Sequence, residues 1–528
     1  MTGTGTLLRL ALRRDRLLLL VWVVGLVGIT LVTVSGLQEL YGTLESRRQL
    51  ASTAAVNPAF LALLGPLSDH TTLGGVLAWR WGVFGGLLVG LMSLFLLTRH
   101  TRAEEESGRL ELLGSAVVGR HAPLAAAVVV GLLAPTLVGG LVAAGLIGLD
   151  QPVAGSVAFG LAFASPGWVF TGVSAVAAQL PEGARTANAL GGAVLGGTYL
   201  LRAVGDAAGD HGPTWLTWCS PLGWAQRVEP YAHDRWWVLL LPVIATVLLV
   251  GLASVLVTRR DLGAGLIATR PGPAHTSLAG PFGLAWRLHR GTLLGWTFGM
   301  LVLGAVYGAV ARGVEEMLDA NPALERVIAQ MGGTGSLVDV YFASIFGIIG
   351  LFSAIHAVTT VLRLRVEETS HRVEPILATT AGRWRVACAH LLYATLGTAV
   401  VLTAAGLGAG LVHGVRTGDV AAQLPRLVGA ALAQAPAVWV VTGVAVLLFG
   451  VLPKATSAAW AFLVGFLVLG QLGPLLRLPG WVTDLSPFTH VPKLPSAHLD
   501  AWPLVWLTAV AGASILVGLA AFRRRDIG

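Results

Sequence analysis

The chain has 528 residues, of which 55% are hydrophobic and only 12% are charged. Soluble domains carry about 25% charged residues, so this composition excludes a soluble fold of this size. The formal net charge of +8 comes almost entirely from arginine, because lysine occurs only at Lys454 and Lys493. Such an excess does not by itself indicate a nucleic-acid-binding protein.

Twelve apolar segments are long enough to cross a bilayer, which takes about 20 residues. Inside hydrocarbon the backbone must satisfy its own hydrogen bonds, so we expect each segment to be a helix. In chain order the segments are roughly 17–37, 76–98, 123–149, 154–179, 187–205, 238–257, 291–311, 341–361, 386–412, 427–451, 455–476 and 502–522. The sequence predicts an all-α integral membrane protein with twelve transmembrane helices.

The distribution of positive charge predicts the orientation of these helices. If both termini lie in the cytoplasm, the cytoplasmic segments carry most of the 35 lysine and arginine residues. Membrane proteins show this bias on their cytoplasmic side. We therefore expect a multi-pass protein of the cell membrane with cytoplasmic N- and C-termini.

The two halves of the chain repeat one another. The sequence R-A-E-E-E-S-G-R-L-E from Arg102 to Glu111 recurs as R-V-E-E-T-S-H-R-V-E from Arg365 to Glu374. Shorter blocks recur in the same order: Gly119-Arg120 at Gly382-Arg383, Asn57-Pro58-Ala59 at Asn321-Pro322-Ala323, Ser220-Pro221 at Ser486-Pro487, and Arg259-Arg260-Asp261 at Arg524-Arg525-Asp526. One pair could be coincidence, but several blocks in one order indicate a duplication.

The duplication predicts the domain organisation. Residues 1–265 form the first six-helix repeat, 266–280 a cytoplasmic linker rich in glycine and proline, and 281–528 the second repeat. Because six is an even number, the two repeats have parallel orientation, with a pseudo-twofold axis along the membrane normal.

A charged segment follows the second predicted helix of each half. Glu105 and Arg109, like Glu368 and Arg372, are spaced i,i+4 with the acid first, the favourable order on a helix. Glutamates seven residues apart share one face, and arginines form a parallel row. The residues of this predicted docking element are Arg102, Glu104, Glu105, Arg109, Glu111, Arg365, Glu367, Glu368, Arg372 and Glu374. A solvated loop helix is the alternative, but it would need no pattern repeated in both halves.

Two other features flank the helices. The start of each half is basic, with Arg9, Arg13 and Arg16 in the first, which predicts either a helix in the inner interface or the positive flank of a span. Segments 207–237 and 478–501 are rich in tryptophan and each contains Ser-Pro. They predict short re-entrant or interfacial helices, or an ordinary aromatic belt.

Several kinds of machinery are missing from the sequence. No predicted span contains aspartate or glutamate, although ion-coupled carriers usually need a buried acid. Both lysines follow proline, so the chain has no Gly-Lys-Ser/Thr phosphate-binding loop. No metal-ligand spacing or catalytic constellation stands out. We expect a non-catalytic protein that holds no metal and no cofactor of its own.

With this set of features, the sequence resembles the ABC-2 type (type V) ABC transporter permeases. The repeated charged pattern is similar, more narrowly, to the actinobacterial exporters of polyketide antibiotics, the tetronasin-resistance-like subgroup. The resemblance implies two copies of a separate ATPase subunit that bind ATP and Mg²⁺, one docked at each charged segment. It also implies a substrate path between the halves, lined by the second and fifth spans. The candidate wall residues are Trp79, Trp81, Phe84, Phe95, Tyr199, Tyr341, Phe342, Phe346 and Phe352.

These observations predict the permease subunit of an ATP-driven exporter that moves amphipathic drugs or polyketide-type antibiotics out of the cell. Charge-free, aromatic spans suit a hydrophobic small molecule. Lipid or another apolar cargo is an alternative. An ion-coupled secondary carrier and a non-transporting regulator of an ATPase are alternatives of other classes.

Overall fold

The computed structural model describes residues 2–56, 58–115, 117–207, 213–267, 280–319, 337–467, 469 and 479–525. Within these ranges the structure is helical and contains no strand, which confirms the predicted all-α fold there. The chain divides into two compact units, Met1–Gly272 and Pro273–Gly528. The sequence features that lie wholly or partly outside the described residues are Asn57-Pro58-Ala59, the linker 266–280, Asn321-Pro322-Ala323, the end of segment 455–476 and Asp526.

Eleven α-helices are described in the first unit. They are α1 (Thr4–Tyr41), α2 (Leu44–Val56), α3 (Pro58–Leu64), α4 (Leu73–His100), α5 (Arg102–Glu106), α6 (Arg109–Gly114), α7 (Ala122–Gly148), α8 (Val153–Ala177), α9 (Ala184–Ala207), α10 (Pro221–Arg227) and α11 (Leu240–Thr258). Two 3-10 helices, Thr214–Cys219 and Trp236–Leu239, precede and follow α10.

Nine α-helices are described in the second unit. They are α12 (Pro281–Asp319), α13 (Leu337–Thr369), α14 (Glu374–Leu377), α15 (Arg383–Thr417), α16 (Val420–Leu432), α17 (Ala435–Val451), α18 (Ala459–Leu467), α19 (Gly480–Thr483) and α20 (Ala501–Arg524). Two 3-10 helices, Pro453–Ala458 and Pro487–His490, precede α18 and follow α19.

Ten helical stretches of the described residues are long and apolar enough to cross a bilayer. They are Thr4–Tyr41, Leu73–Glu106, Ala122–Gly148, Val153–Ala177, Trp236–Thr258, Pro281–Ala311, Val338–Thr369, Arg383–Thr417, Val420–Val451 and Ala501–Arg524. The fifth predicted span of each half is not among them. In the first half this span, 187–205, is the more polar helix α9. In the second half it is 455–476, which lies partly outside the described residues. The protein is therefore a multi-pass membrane protein, and the number twelve stays a prediction.

The long helices pack in the same order in both units. In the first unit α8 contacts α4, α7, α9 and α11, and in the second α17 contacts α13, α15, α18 and α20. Likewise α1 contacts α4 and α7, as α12 contacts α13 and α15. The cores are almost wholly apolar, built around residues such as Val76 and Phe159 in the first unit and Val358 and Phe449 in the second. Each unit is thus a helical bundle with its fourth long helix at the centre.

The first helix of each unit runs without interruption from its basic start into its apolar part. Helix α1 has 38 residues and α12 has 39, which at 1.5 Å per residue is about 57 Å, well beyond the ~30 Å hydrocarbon core. The structure shows no separate interfacial helix ahead of α1, so Arg9, Arg13 and Arg16 are better interpreted as the positive flank of a span.

Short helices precede the last long helix of each unit, as the tryptophan-rich segments predict. Each Ser-Pro starts one of them. Ser220 caps α10 by accepting a hydrogen bond from the Gly223 backbone, and Pro221 fills the first position, where its missing N–H costs nothing. Pro487 starts the corresponding 3-10 helix in the second unit. The short helices are confirmed, and their depth in the bilayer stays a prediction.

Candidate functional site

The two repeated charged segments, Arg102–Arg120 and Arg365–Arg383, are called the charged turns below. In the first, α5 continues the direction of the second long helix, and the chain then turns at Gly108, whose φ of 71° suits a residue without Cβ. The short helix α6 follows. The first charged turn is therefore a helix end, a left-handed residue and a short helix.

The second charged turn has the same construction. Helix α13 runs through Glu368 and ends at Thr369, His371 takes a φ of 56°, and the short helix α14 follows. Gly108 separates Glu104 and Glu105 from Arg109. His371 likewise separates Glu367 and Glu368 from Arg372. The predicted i,i+4 pairs Glu105–Arg109 and Glu368–Arg372 are therefore wrong, because no continuous helix joins their members.

Glu105 is instead buried inside the first unit, with its side chain only 6% exposed. It pairs with Arg102 three residues earlier and with Arg260 just beyond the end of α11. Arg260 binds in bidentate fashion, with Nη2 2.5 Å from Oε1 and Nη1 2.8 Å from Oε2. The Gln179 side chain accepts a further bond from Arg260 Nε at 2.7 Å. Such forked, charge-assisted pairs are strong and directional.

Glu368 is the corresponding carboxylate of the second unit, with its side chain 3% exposed. Arg365 donates to it at 2.8 Å, and Nη2 of Arg525 lies 2.8 Å from both of its oxygens. Arg525 also stacks on the rings of Phe449 and Phe522, at 4.9 Å and 5.1 Å from the ring centres. Glu105–Arg260 and Glu368–Arg525 are called the helix-end ion pairs below.

The other end of each charged turn also reaches the last helix. Arg120 donates to the backbone oxygen of Arg260 at 2.7 Å, and Arg383 donates to the backbone oxygen of Arg525 at 2.7 Å. The last carbonyls of a helix have no partner within the helix, and arginine is a suitable donor to them. Arg260 and Arg525, at the ends of the last helices, are called the terminal arginines below. Each charged turn thus binds its terminal arginine twice, once at the side chain and once at the backbone carbonyl.

The first charged turn has two additional attachments. Glu104 pairs with Arg14 of α1, and Glu106 accepts a hydrogen bond of 3.0 Å from the backbone of Ala184 at the start of α9. In the repeat alignment Arg14 corresponds to Leu288 and Glu106 to Thr369, and neither side chain can make the same ionic contact. The two charged turns are therefore anchored unequally.

The exposed remainder of the turns is small. Arg109 and Arg372 are 57% and 63% exposed on their side chains, at 3.6 Å and 4.0 Å from Glu104 and Glu367. Leu112 is 76% exposed. Of the ten predicted docking residues, those that remain available for a partner are Arg109, Glu111, Arg372 and Glu374. Those with buried or largely covered side chains are Arg102, Glu104, Glu105, Arg365, Glu367 and Glu368.

Sequence reasoning missed the partners of these buried charges. The missed residues are Arg120, Gln179, Arg260, Arg383 and Arg525. Four of them stand in blocks that recur in both halves, so the signal was present. Repetition shows that a residue is used twice but not which residue it contacts.

The nine predicted wall residues of a substrate path occupy different environments. Those packed in the core of their own unit are Trp79, Phe342 and Phe346. Those that are half-buried and hydrogen-bonded are Trp81 to Thr30, Tyr199 to Leu63 and Tyr341 to Tyr307. Those with exposed rings are Phe84, Phe95 and Phe352. The exposed rings can contact a substrate without repacking a core.

The opposite end of the first unit is ordered by Asp69, which precedes α4. Its carboxylate accepts hydrogen bonds from the backbone and hydroxyl groups of Thr71 and Thr72, at 2.5–3.2 Å. Burial alone would raise the pKa of the Asp69 carboxyl, but these hydrogen bonds outweigh burial and lower the pKa below its usual value. Asp69 thus stabilises the entry into α4 in its ionised form.

Among the described residues, no group of three or more His, Cys, Asp or Glu is placed to hold a metal ion.

Comparisons with known proteins agree with this architecture. A family model described as "Multidrug efflux system permease Rv1217c, C-terminal domain" matches residues 5–255 and 278–523. The multidrug efflux system permease protein Rv1217c of Mycobacterium tuberculosis (strain ATCC 25618 / H37Rv) is 45% identical over 529 residues, which cover 100% of this chain and 95% of that relative. The chain belongs to this family of multidrug efflux permeases.

Proposed function

We propose that the chain is the permease subunit of a drug-efflux system whose energy comes from a separate ATPase. Family membership supports the efflux role. The chain lacks a Gly-Lys-Ser/Thr loop, so ATP and Mg²⁺ would bind to the partner and this subunit would be non-catalytic. The observation that carries the proposal is that each unit presents a charged turn of the same construction, fixed to the same helix end.

The contacts of the first unit support six crossings and one shared side for its charged groups. Arg14 near the start of α1, Ala184 at the start of α9 and Arg260 just after α11 all contact the first charged turn. These segments can meet at one end only if the helices between them cross the bilayer in pairs. Because this end carries the arginine excess, it would face the cytoplasm together with both termini.

The equivalent packing of the second unit extends this arrangement to the whole chain. Its charged turn binds Arg525 beyond its last helix, and Tyr393 of α15 binds the backbone of Phe282 in α12. These contacts support twelve spans in two parallel six-helix permease repeats, 1–265 and 281–528. Two parallel repeats would present two charged turns to the cytoplasm, and each turn would bind one copy of the ATPase. The exposed docking groups would be Arg109 and Arg372 with their neighbours.

An amphipathic drug or a polyketide-type antibiotic is the substrate that these helices suit best. The exposed aromatic rings Phe84, Phe95 and Phe352 lie on the second long helix of a unit, in an apolar surround. They offer stacking and dispersion contacts and impose no charge requirement. A lipid would fit the same surface, so drug and lipid cargo are two arms of a transport test.

The buried acids give no support to an ion-coupled carrier. Asp15 lies 2.9 Å from Arg99 and 2.7 Å from His100, and Asp339 lies 2.7 Å from Arg426. Asp15 lies within α1 and Asp339 in the first turn of α13, and both already have cationic partners. A coupling site requires an acid that exchanges its ion during each cycle.

Co-purification with a separate P-loop ATPase, sought among the reading frames adjacent to the permease gene, tests the proposal. The tagged permease should retain that ATPase in detergent, and the complex should export ethidium from cells only when the ATPase can hydrolyse ATP. An Arg109→Glu, Arg372→Glu variant should lose the ATPase while remaining inserted. Arg48→Glu is the matched control, because Arg48 is also exposed but lies at the other end of the first unit. Ethidium export by the permease without an ATPase would contradict the proposal.

A further inference from the structure

The charged turns are joined to the last helix of each unit by the same set of contacts, whereas the side chains that surround those contacts differ between the units. A carboxylate at the start of the turn binds the side chain of the terminal arginine, and an arginine at the end of the turn binds its carbonyl. The surroundings differ, because Arg260 has Gln179 as its neighbour and Arg525 has two phenylalanine rings. Duplicate geometry in different surroundings indicates that the connection itself is what both units require.

The ion pair is a direct polar link between the end of the second long helix and the end of the last one. In the first unit α4 and α11 both pack along α8, and in the second α13 and α20 both pack along α17, far more than on each other. A cleft lined by Glu105, Leu113 and Arg260 lies beside the first charged turn. Beside this cleft, the ion pair and Arg120 connect the turn directly to the end of α11.

The last helix is packed closely on the central helix of its unit. A Cβ atom on Gly450 of α17 would lie 2.0 Å from the backbone oxygen of Gly518 in α20, and one on Gly172 of α8 would lie 2.7 Å from Leu249 Cβ in α11. Such close packing transmits displacement, because interiors have low compressibility. Movement of the terminal arginine would therefore move the last helix and the central helix together.

We propose that the helix-end ion pairs are the elements that pass the movement of each charged turn to the core of its unit. This inference rests on the proposed function, since the movement would originate in the ATPase. Glu105, Arg260, Glu368 and Arg525 are positioning residues in this scheme, and none of them contacts the ATPase. Burial fixes their geometry, because an ion pair excluded from water has few alternative partners.

The test separates coupling from docking and from folding. Arg260→Gln with Arg525→Gln breaks both ion pairs, and Arg259→Gln with Arg524→Gln removes two exposed charges from the same arginine pairs and serves as the control. Each permease is purified with its ATPase, reconstituted in lipid vesicles and assayed for ethidium moved per ATP hydrolysed. Loss of one partner of a buried charge pair changes an equilibrium constant by more than about tenfold. We therefore expect the amount of ethidium moved per ATP hydrolysed to fall at least about tenfold. ATPase binding and basal hydrolysis should stay at the wild-type level.

Three results would overturn the inference. The first is a wild-type ratio in the Arg260→Gln, Arg525→Gln protein. The second is loss of ATPase binding in that protein, which would make the pairs docking elements. The third is an equal fall in the control. If the glutamine protein does not insert, Arg260→Lys with Arg525→Lys decides, since lysine keeps the charge but loses the bidentate contact of Arg260 and the planar stacking of Arg525. An intermediate ratio supports the inference and a wild-type ratio refutes it. Ethidium transport without ATP by the wild type would instead refute the proposed function.

Discussion

Arg202 gives the sharpest stability prediction, because its guanidinium is fully buried on α9. It donates to the backbone oxygens of Ala62 and Leu63 in α3, the latter at 3.0 Å, and lies 3.5 Å from the Asp206 carboxylate. It also stacks over Tyr199, 5.0 Å from the ring centre. Arg202→Met keeps the volume and removes every one of these polar contacts.

The cost follows from what the substitution leaves behind. Removing one member of a buried ion pair costs about 3–5 kcal/mol, because the other charge stays buried without its partner. For a unit of this size each kcal/mol lowers the melting temperature by about 2–4 °C, so we expect a fall of roughly 6–20 °C. Arg48→Met, which removes an exposed arginine 3.8 Å from Glu45, should change stability by no more than about 1 kcal/mol.

The assay is thermal unfolding of the purified permease in detergent. Adding Asp206→Leu to Arg202→Met removes the stranded charge, so the double variant should recover part of the lost stability. The recovery should be incomplete, because Thr217 Oγ1 donates to Asp206 at 2.9 Å and would lose that bond. A double variant as unstable as the sum of the two single ones would refute the reasoning, because the two charges would then be independent.

Three further predictions address the start of α4, the packing of α20 and the charged turns. Hydrogen bonding lowers the pKa of the Asp69 carboxyl, so the stabilisation that Asp69 gives is complete above its unfolded pKa of about 3.9 and is lost as pH falls below that value. The difference in melting temperature between the wild type and Asp69→Asn should therefore close in acid. A difference that widens in acid would contradict the assignment. Gly450→Leu places a side chain against the backbone of Gly518 and should destabilise by about 1–3 kcal/mol or more in thermal unfolding, whereas an unchanged midpoint would show that the helices are not in close contact. Arg109→Glu with Arg372→Glu should weaken ATPase co-purification with a stability change below about 1 kcal/mol, and unimpaired co-purification would remove these residues from the docking surface.

Much of the fold follows from the sequence, because hydrophobic length and backbone hydrogen bonding in lipid leave few alternatives. The charged turns were located correctly but their internal pairing was not. A helix was extended through Gly108 and His371 on the strength of i,i+4 charge spacing, while both positions are left-handed. Glu105 and Glu368 consequently face inward, and their real partners, Arg260 and Arg525, are far away in sequence.

The same limit applies to the aromatic residues of the spans. A period of 3.6 residues cannot tell the core side from the lipid side when both are apolar. Trp79 and Phe342 are buried, whereas Phe95 and Phe352 are exposed, and composition is alike around all four. In the folded units three of the nine candidate rings are buried, three are half-buried and three are exposed, and their contact with substrate stays a prediction.

In the proposed function, this chain exports amphipathic drugs only together with a separate ATPase. The direct measurement is ethidium movement into inverted lipid vesicles that contain the purified permease, with and without the ATPase that co-purifies with it and ATP. We expect ethidium to accumulate only when permease, ATPase and ATP are all present, and not with an ATPase that binds but cannot hydrolyse ATP. Accumulation driven by an ion gradient, with the ATPase absent, would contradict it.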